Sequence, residues 1–125
     1  MRKKILIVDD QEDIRHLISF SLNDVGYELI TASDGKEALQ QFRKHRPDII
    51  ILDVMMPGGM SGLDVCKKIK EDSGTESKII IVSALSQSVD VVVGHAAGAD
   101  SYLTKPFSPT SLLREINRVT TSIDE

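Results

Sequence analysis

Four places in this sequence could do chemistry together. Asp9 and Asp10 follow an apolar run, Ile5-Leu6-Ile7-Val8, and Asp53 follows a second, Ile49-Ile50-Ile51-Leu52. Ser83 ends a third, Ile79-Ile80-Ile81-Val82, and Lys105 follows a short stretch over 101–104. Continuous apolar runs bounded by turn residues read as strands buried on both faces, the kind found in the middle of a parallel sheet. In open α/β sheets such strands end on one edge, and ligands bind in the crevice outside it. The polar residue that follows each run is then displayed at a shared site. Three carboxylates in one crevice repel one another and call for a cation. Oxygen donors without His or Cys favour Mg2+ (or Mn2+), which keeps several waters and takes one or two protein carboxylates plus phosphate oxygens. Lys105 adds a point charge with three donors, and Ser83 adds a hydroxyl donor. A metal, a lysine and a hydroxyl around one aspartate suit phosphoryl transfer to a carboxylate, where catalysis is mainly positioning and electrostatic stabilisation. The plainer reading of Asp53 is a residue that ends a strand and caps a turn. The stretch 47–59 alone divides the two readings evenly.

The elements that must position these residues alternate along the chain. After Asp10, the residues Ile14, Leu17, Ile18, Ser21, Leu22 and Val25 fall on one helical stripe, with Phe20 off it. Asp10 can cap this helix, Glu12 and Asp13 suit its first turn, and Gly26 ends it. A short strand over 27–32 leads to the turn and cap Ser33-Asp34-Gly35. Ala38, Leu39 and Phe42 mark a second helix, stopped by Pro47. Ser61-Gly62-Leu63-Asp64 opens a third as a capping box, with Leu63, Val65, Cys66 and Ile69 on its apolar face. Val89, Val92, Val93, Ala96 and Ala97 stripe a helix over 89–97, capped by Gly98. Its β-branched residues are poor helix formers, so packing must hold it. Ser108-Pro109 starts the last helix, striped by Leu112, Leu113, Ile116, Val119 and Ile123, and 121–125 reads as a tail with no further element. Five strands thus alternate with five helices, which implies a parallel sheet covered on both faces and joined by right-handed crossovers.

The whole composition narrows the function. At 125 residues the chain fits one domain over 1–125, with a core that needs no staples. A net charge of −4 leaves no footprint for direct nucleic-acid binding, and the basic clusters at 2–4 and 43–46 read as solvated faces. Cys66 is the only cysteine, which rules out an internal disulfide or a cysteine zinc site, and its spacing with Leu63 and Ile69 makes it a buried hydrophobe. The apolar run after Lys4 is too short for a signal peptide, and no stretch is long enough to span a membrane. A cytoplasmic protein with no membrane partner is the simplest reading.

With these residues in view, the chain resembles the receiver domain of two-component response regulators. The matching pieces are Val8-Asp9-Asp10, Leu52-Asp53 with Met56-Pro57, Ser83-Ala84, Ala97-Gly98-Ala99-Asp100, Tyr102-Leu103 and Lys105-Pro106-Phe107, in order and over essentially residues 3–120. Such a member has a flavodoxin-like doubly wound (βα)5 fold, with a five-stranded parallel sheet in the order 2-1-3-4-5. The resemblance implies that Asp53 is the phosphoacceptor, served by a histidine kinase or phosphotransfer protein. It implies that Asp10, Asp53 and the backbone carbonyl of Met55 bind the metal, with Asp9 helping through water. It further implies that Lys105, aimed into the crevice by a cis Lys105–Pro106 bond, contacts the phosphoryl group, that Ser83 swings toward it, and that Tyr102 turns inward. The face formed by the helix over 89–97, the fifth strand and the last helix then changes partners. On it, Val91, His95, Tyr102 and Thr104 would bind a downstream protein or a second copy. The protein would be a switch and not an enzyme in the usual sense, catalysing only its own phosphotransfer and slow self-dephosphorylation. No output domain is expected within this chain. One departure is the Gly58-Gly59 pair, one residue longer than most receivers have between Pro57 and Gly62.

Three rival readings share parts of the pattern. A flavin-binding redox protein of the same architecture needs a loop that cradles phosphate after strand one, whereas Asp9-Asp10-Gln11-Glu12-Asp13 would repel it. A phosphatase with an aspartate nucleophile of the haloacid-dehalogenase type needs Asp-x-Asp after its first strand, and here Asp9 and Asp10 are adjacent. An interaction module that works without phosphate has no use for Asp10, Asp53, Ser83 and Lys105 together.

Overall fold

The structure is a computed structural model and describes residues 3–22, 26–54, 58–73, 77–83 and 98–124. Five strands are described: β1 (Lys4–Val8), β2 (Glu28–Ala32), β3 (Ile49–Asp53), β4 (Lys78–Ser83) and β5 (Ser101–Thr104). All pair in parallel, in the order β2-β1-β3-β4-β5. The described helices are α1 (Glu12–Ser21), α2 (Gly35–His45), α3 (Gly62–Ser73) and α4 (Pro109–Asp124). The helix expected over 89–97, with Val91 and His95, lies outside the described residues, as do Met55, Met56, Pro57, Ala84 and Leu85.

Period-two alternation sorts the apolar runs into two cores. Leu6, Val8, Ile50, Leu52, Ile79 and Ile81 pack on one face with α2 and α3 residues such as Phe42 and Ile69. Ile5, Ile7, Ile49, Ile51, Ile80 and Val82 pack on the other with Ile18, Leu22, Leu112 and Ile116 of the α1 and α4 layer. Cys66 is fully buried in the first core, and burial pushes its thiol up to about 11. It is a packing residue.

Local chemistry sets most helix starts. Asp34 caps α2, accepting from the Glu37 N–H, while Glu37 reaches back to the Ser33 N–H. Ser61 and Asp64 exchange the same reciprocal bonds at α3, and Ser108 accepts from the Ser111 N–H ahead of Pro109. Such caps contribute roughly 1 kcal/mol each.

Three local expectations need correction. Asp10 does not cap α1: Gln11 holds the cap position with no side-chain bond, and the Asp9 carboxylate accepts the Gln11 N–H instead. The helix stops at Ser21 and not at Gly26, with Leu22 as its C-cap. At the other end, 121–124 is not a tail; α4 runs on to Asp124, since that stretch contains no Gly or Pro to break it. The expected cis bond at Lys105–Pro106 is present.

One glycine fixes the approach to the site. A Cβ on Gly62 would sit 2.0 Å from the backbone oxygen of Asp53, while the Gly62 N–H donates to Val54 O at 2.9 Å. Neither neighbour is a flexible side-chain tip, so the strain cannot relax locally. Gly62→Ala is expected to lower stability by at least about 2 kcal/mol. Urea denaturation checks this, and a change within ~0.5 kcal/mol contradicts the close approach.

Candidate functional site

Register builds the site. β1 and β3 are neighbours with Val8 opposite Leu52, and each chain meets an aspartate at the next residue. Neighbouring strands lie ~4.8 Å apart, so Asp9 and Asp53 end side by side. Residues 5, 7 and 9 share one pleat parity, as do 49, 51 and 53. Asp9, Asp10 and Asp53 each offer a carboxylate oxygen within 4.8 Å of the others. β1 has β2 on one side and β3 on the other, so this is the switch point of the sheet, where α/β folds open a crevice.

Lys105 enters from the end of β5. Its N–H donates to Ser83 O at 2.7 Å, which carries the ladder one step past Thr104. Its Nζ donates to Asp9 Oδ2 at 2.9 Å and stands 3.4 Å from Asp53 Oδ1. The other Asp9 oxygen, Oδ1, accepts the Gln11 N–H at 2.9 Å. The Asp9 carbonyl accepts from Arg15 Nη1 at 2.7 Å, and the Asp9 N–H donates to Ala32 O. Asp9 and Asp53 are 1 % and 4 % exposed, whereas Asp10 faces solvent.

The electrostatics follow from that burial. Loss of water pushes the Asp53 carboxyl from 3.8 up to about 6; Asp9 adds to the rise, and Lys105 offsets part of it. Burial pulls the Lys105 ammonium down, but its hydrogen bond to Asp9 and the charges of Asp53 and Asp9 outweigh this, and the group sits above its ordinary value. Lys105 therefore stays charged, and one ammonium does not balance the carboxylates around it. A crowded set of oxygen donors with surplus negative charge fits a small hard cation such as Mg2+ or Mn2+.

The remaining expected residues are spread more widely. Ser83 is buried at the end of β4, one residue past the Asp53 partner Val82. Thr104 lies opposite Ser83 on β5, and Tyr102 lies opposite Ile81, half-buried against the α2/α3 core. Two contributors carry no sequence signal that singles them out. Arg15 looks like any polar-face residue of a surface helix, and Gly62 looks like part of a cap.

Ionised Asp53 opposes folding. Its pKa rises from 3.8 to about 6 on folding, so the folded state holds the proton more tightly. The penalty is absent below about pH 4, grows through that window and is complete above about pH 6; at pH 7 it is on the order of 3 kcal/mol. In metal-free buffer at pH 7, Asp53→Asn is expected to be more stable than wild type by about 1–3 kcal/mol. Urea denaturation between about pH 7 and pH 4 should show the gap closing on acidification. A gap that stays constant or widens contradicts this account.

Comparison with known proteins identifies the family. The model of the response regulator receiver domain matches residues 5–117. The alkaline phosphatase synthesis transcriptional regulatory protein PhoP of Bacillus subtilis is 45% identical over 117 residues, covering 94% of this chain and 46% of that protein. The DNA-binding response regulator MtrA of Mycolicibacterium paratuberculosis is 40% identical over 116 residues, covering 93% of this chain and 50% of that protein. The chain thus spans about half the length of the curated relatives it matches. Among solved structures, the chemotaxis protein CheY4 of Vibrio cholerae superposes with a TM-score of 0.89 at 39% identity, covering 95% of this chain and 99% of that one. A CheY-like receiver domain protein of Methanospirillum hungatei reaches 0.92 at 28% identity, covering 99% and 98%. The family match begins in β1 and ends within α4, so it takes in every described strand that shapes the carboxylate crevice, and the chain belongs to the receiver domains of two-component response regulators.

Proposed function

We propose that the chain is a phosphorylation-driven signalling switch with Asp53 as its phosphoacceptor. One observation carries this reading: a buried carboxylate at a strand end, with its pKa raised to about 6, shares a lysine with Asp9 and lies within 4.8 Å of two further carboxylates. Near neutral pH it is mostly ionised and poorly hydrated, a state suited to nucleophilic attack. An Asp53 oxygen attacks the phosphorus of a phosphohistidine on a kinase or phosphotransfer protein. The O–P bond forms, the N–P bond breaks, and the imidazole leaves and takes up a proton. Lys105 neutralises the phosphoryl oxygens, moving its hydrogen bond from Asp9 to the incoming group. Asp10 and Asp53, with the backbone carbonyl of Met55, would hold Mg2+ or Mn2+. Asp9, both of whose oxygens are already bonded, stands behind them. The cation supplies charge neutralisation at the transferring oxygens.

Ser83 and Tyr102 carry the signal outward. Ser83 is one residue beyond the Asp53 partner in the ladder, and Tyr102 lies on the next strand. A shift of Ser83 toward the phosphoryl group frees space for Tyr102 to turn in. The surface of Val91, His95, Tyr102 and Thr104 then gains or loses a protein partner or a second copy. The net charge of −4 supports a protein partner over nucleic acid for this domain. No described helix is long and apolar enough to cross a membrane, and the cytoplasmic expectation rests on the switch reading itself.

The direct test is intact-mass measurement after incubation with Mg2+ and acetyl phosphate. Wild type is expected to gain one phosphoryl group only with the metal, and Asp53→Asn none. Undiminished labelling of the Asn variant defeats the assignment.

The lifetime of the phosphorylated form is set by water access. Residues two positions after Asp53 and two after Ser83 flank the attacking water in receivers; here they are Met55 and Leu85. Neither can orient a water. Loss of a positioning interaction worth ~1.4–2.7 kcal/mol slows such a step ~10–100-fold. Met55→Asn/Leu85→Glu is therefore expected to speed the decay of phosphorylated protein by about tenfold or more. An unchanged or slower decay removes the argument from these side chains.

A further inference from the structure

We propose that Arg15 is a positioning residue for the carboxylate cluster, acting through the peptide bond that joins Asp9 to Asp10. The inference rests on the reading that this cluster holds a divalent cation. Arg15 Nη1 donates to the Asp9 carbonyl at 2.7 Å, the shortest bond to any atom of Asp9 among those described. That carbonyl lies in the rigid plane whose other end is the Asp10 N–H. Among the described residues, the other bonds to Asp9 end on its carboxylate or its amide: Lys105 and Gln11 on the carboxylate, Ala32 on the N–H. The Gln11 bond closes over Asp10 from its far side and leaves the Asp9–Asp10 peptide plane to Arg15. Arg15 therefore holds the carbonyl end of the peptide plane that leads into Asp10, and rotation of that plane would carry Asp10 away while leaving the Asp9 carboxylate in place.

Asp10 needs such a hold. It is exposed, and its side chain does not cap α1. Arg15 is itself anchored, since its own N–H donates to Gln11 O in the first turn of α1. The side chain thus ties the first turn of the helix back to the end of β1, across Asp9, Asp10 and Gln11. A planar guanidinium suits this role, because a fork of donors loses less freedom per bond than a flexible ammonium.

Charge alone predicts the opposite effect. A guanidinium beside a cation site repels the cation, so removing it should tighten binding. Positioning predicts weaker binding, because losing a partner that orients a metal ligand typically reduces affinity ~10–100-fold. The sign of the change separates the two.

The test is Mn2+ affinity of the intact, unphosphorylated protein, measured by electron paramagnetic resonance for wild type, Arg15→Gln and Arg15→Lys. Arg15→Gln is expected to bind about tenfold more weakly. Arg15→Lys, which keeps the charge and a donor group but not the planar fork, should recover part of the loss. At saturating Mg2+ the maximal rate of labelling by acetyl phosphate should stay near wild type in both, with only the Mg2+ requirement raised. A purely structural role would not produce that split. If Arg15→Gln does not fold, Arg15→Lys carries the comparison, with several-fold weaker binding expected. Affinity equal to or tighter than wild type in the folded variant overturns the positioning role and leaves the cation reading intact. Failure of wild type to bind Mn2+ overturns both.

Discussion

The structure turns on Lys105 reaching two buried carboxylates at once, Asp9 at 2.9 Å and Asp53 at 3.4 Å. Taking three ionised groups out of water is unfavourable unless each is paired. The pairing here is incomplete. Burial and the Asp9 charge still raise Asp53 to about 6 despite the lysine, so the site stores electrostatic tension in its resting form. A dianionic phosphoryl group added to Asp53 would deepen that surplus, and Lys105 is the donor placed to answer it. On the proposed function, the ion pair that steadies the crevice is also the interaction that phosphoryl transfer to Asp53 would rearrange.

Much of this was legible in the residues. Apolar runs ending in Asp or Ser announced the strands and the edge they share; β3 and β4 contain those runs and take in the Asp53 and Ser83 that end them. The caps at Asp34, Ser61 and Ser108 follow from short-range chemistry that needs no tertiary context. What escaped depended on distant partners. Asp9 and Asp10 are the same residue type in sequence; the pleat of β1 and the pairing with Lys105 make one the buried anchor and leave the other in solvent. Arg15 spends its guanidinium on a backbone carbonyl, which leaves no mark in a pattern of side chains. The full length of α4 is hard to see in the sequence because the run Thr120-Thr121-Ser122 is a weak helix former, although Ile123 continues the stripe.

The hydrophobic runs also leave a problem that composition cannot solve. In a sheet with one wet face, a one-residue slip exposes the core residues and is thereby forbidden. Here β1, β3 and β4 are buried on both faces, and a slip within Ile49-Ile50-Ile51 or Ile79-Ile80-Ile81 exchanges isoleucine for isoleucine. Burial energy hardly distinguishes the registers, yet a slip would move Asp53 to the opposite face and dismantle the site.

Polar residues at the far edge of the sheet supply the missing specification. The Asp48 carboxylate accepts the Lys4 N–H at 2.9 Å, the Asp48 N–H donates to Lys4 O, and the Lys78 N–H donates to Asp48 O. One residue thereby aligns the starts of β1, β3 and β4. Ser77 Oγ donates to Pro47 O at 2.6 Å across the same boundary. The Asp100 carboxylate accepts both the Ile79 N–H and the Lys70 ammonium, which ties β4 to the entry of β5 and to α3. Each of these pairs would lose its partner in a slipped sheet and leave a polar group in or near the core, an error of roughly 1–3 kcal/mol apiece. The strands then project that alignment unchanged to the other edge, because parallel ladders between stiff β-branched runs have little freedom to shear. Asp53 meets Asp9 and Lys105 at the carboxyl edge because Asp48, Ser77 and Asp100 have fixed the count at the amino edge.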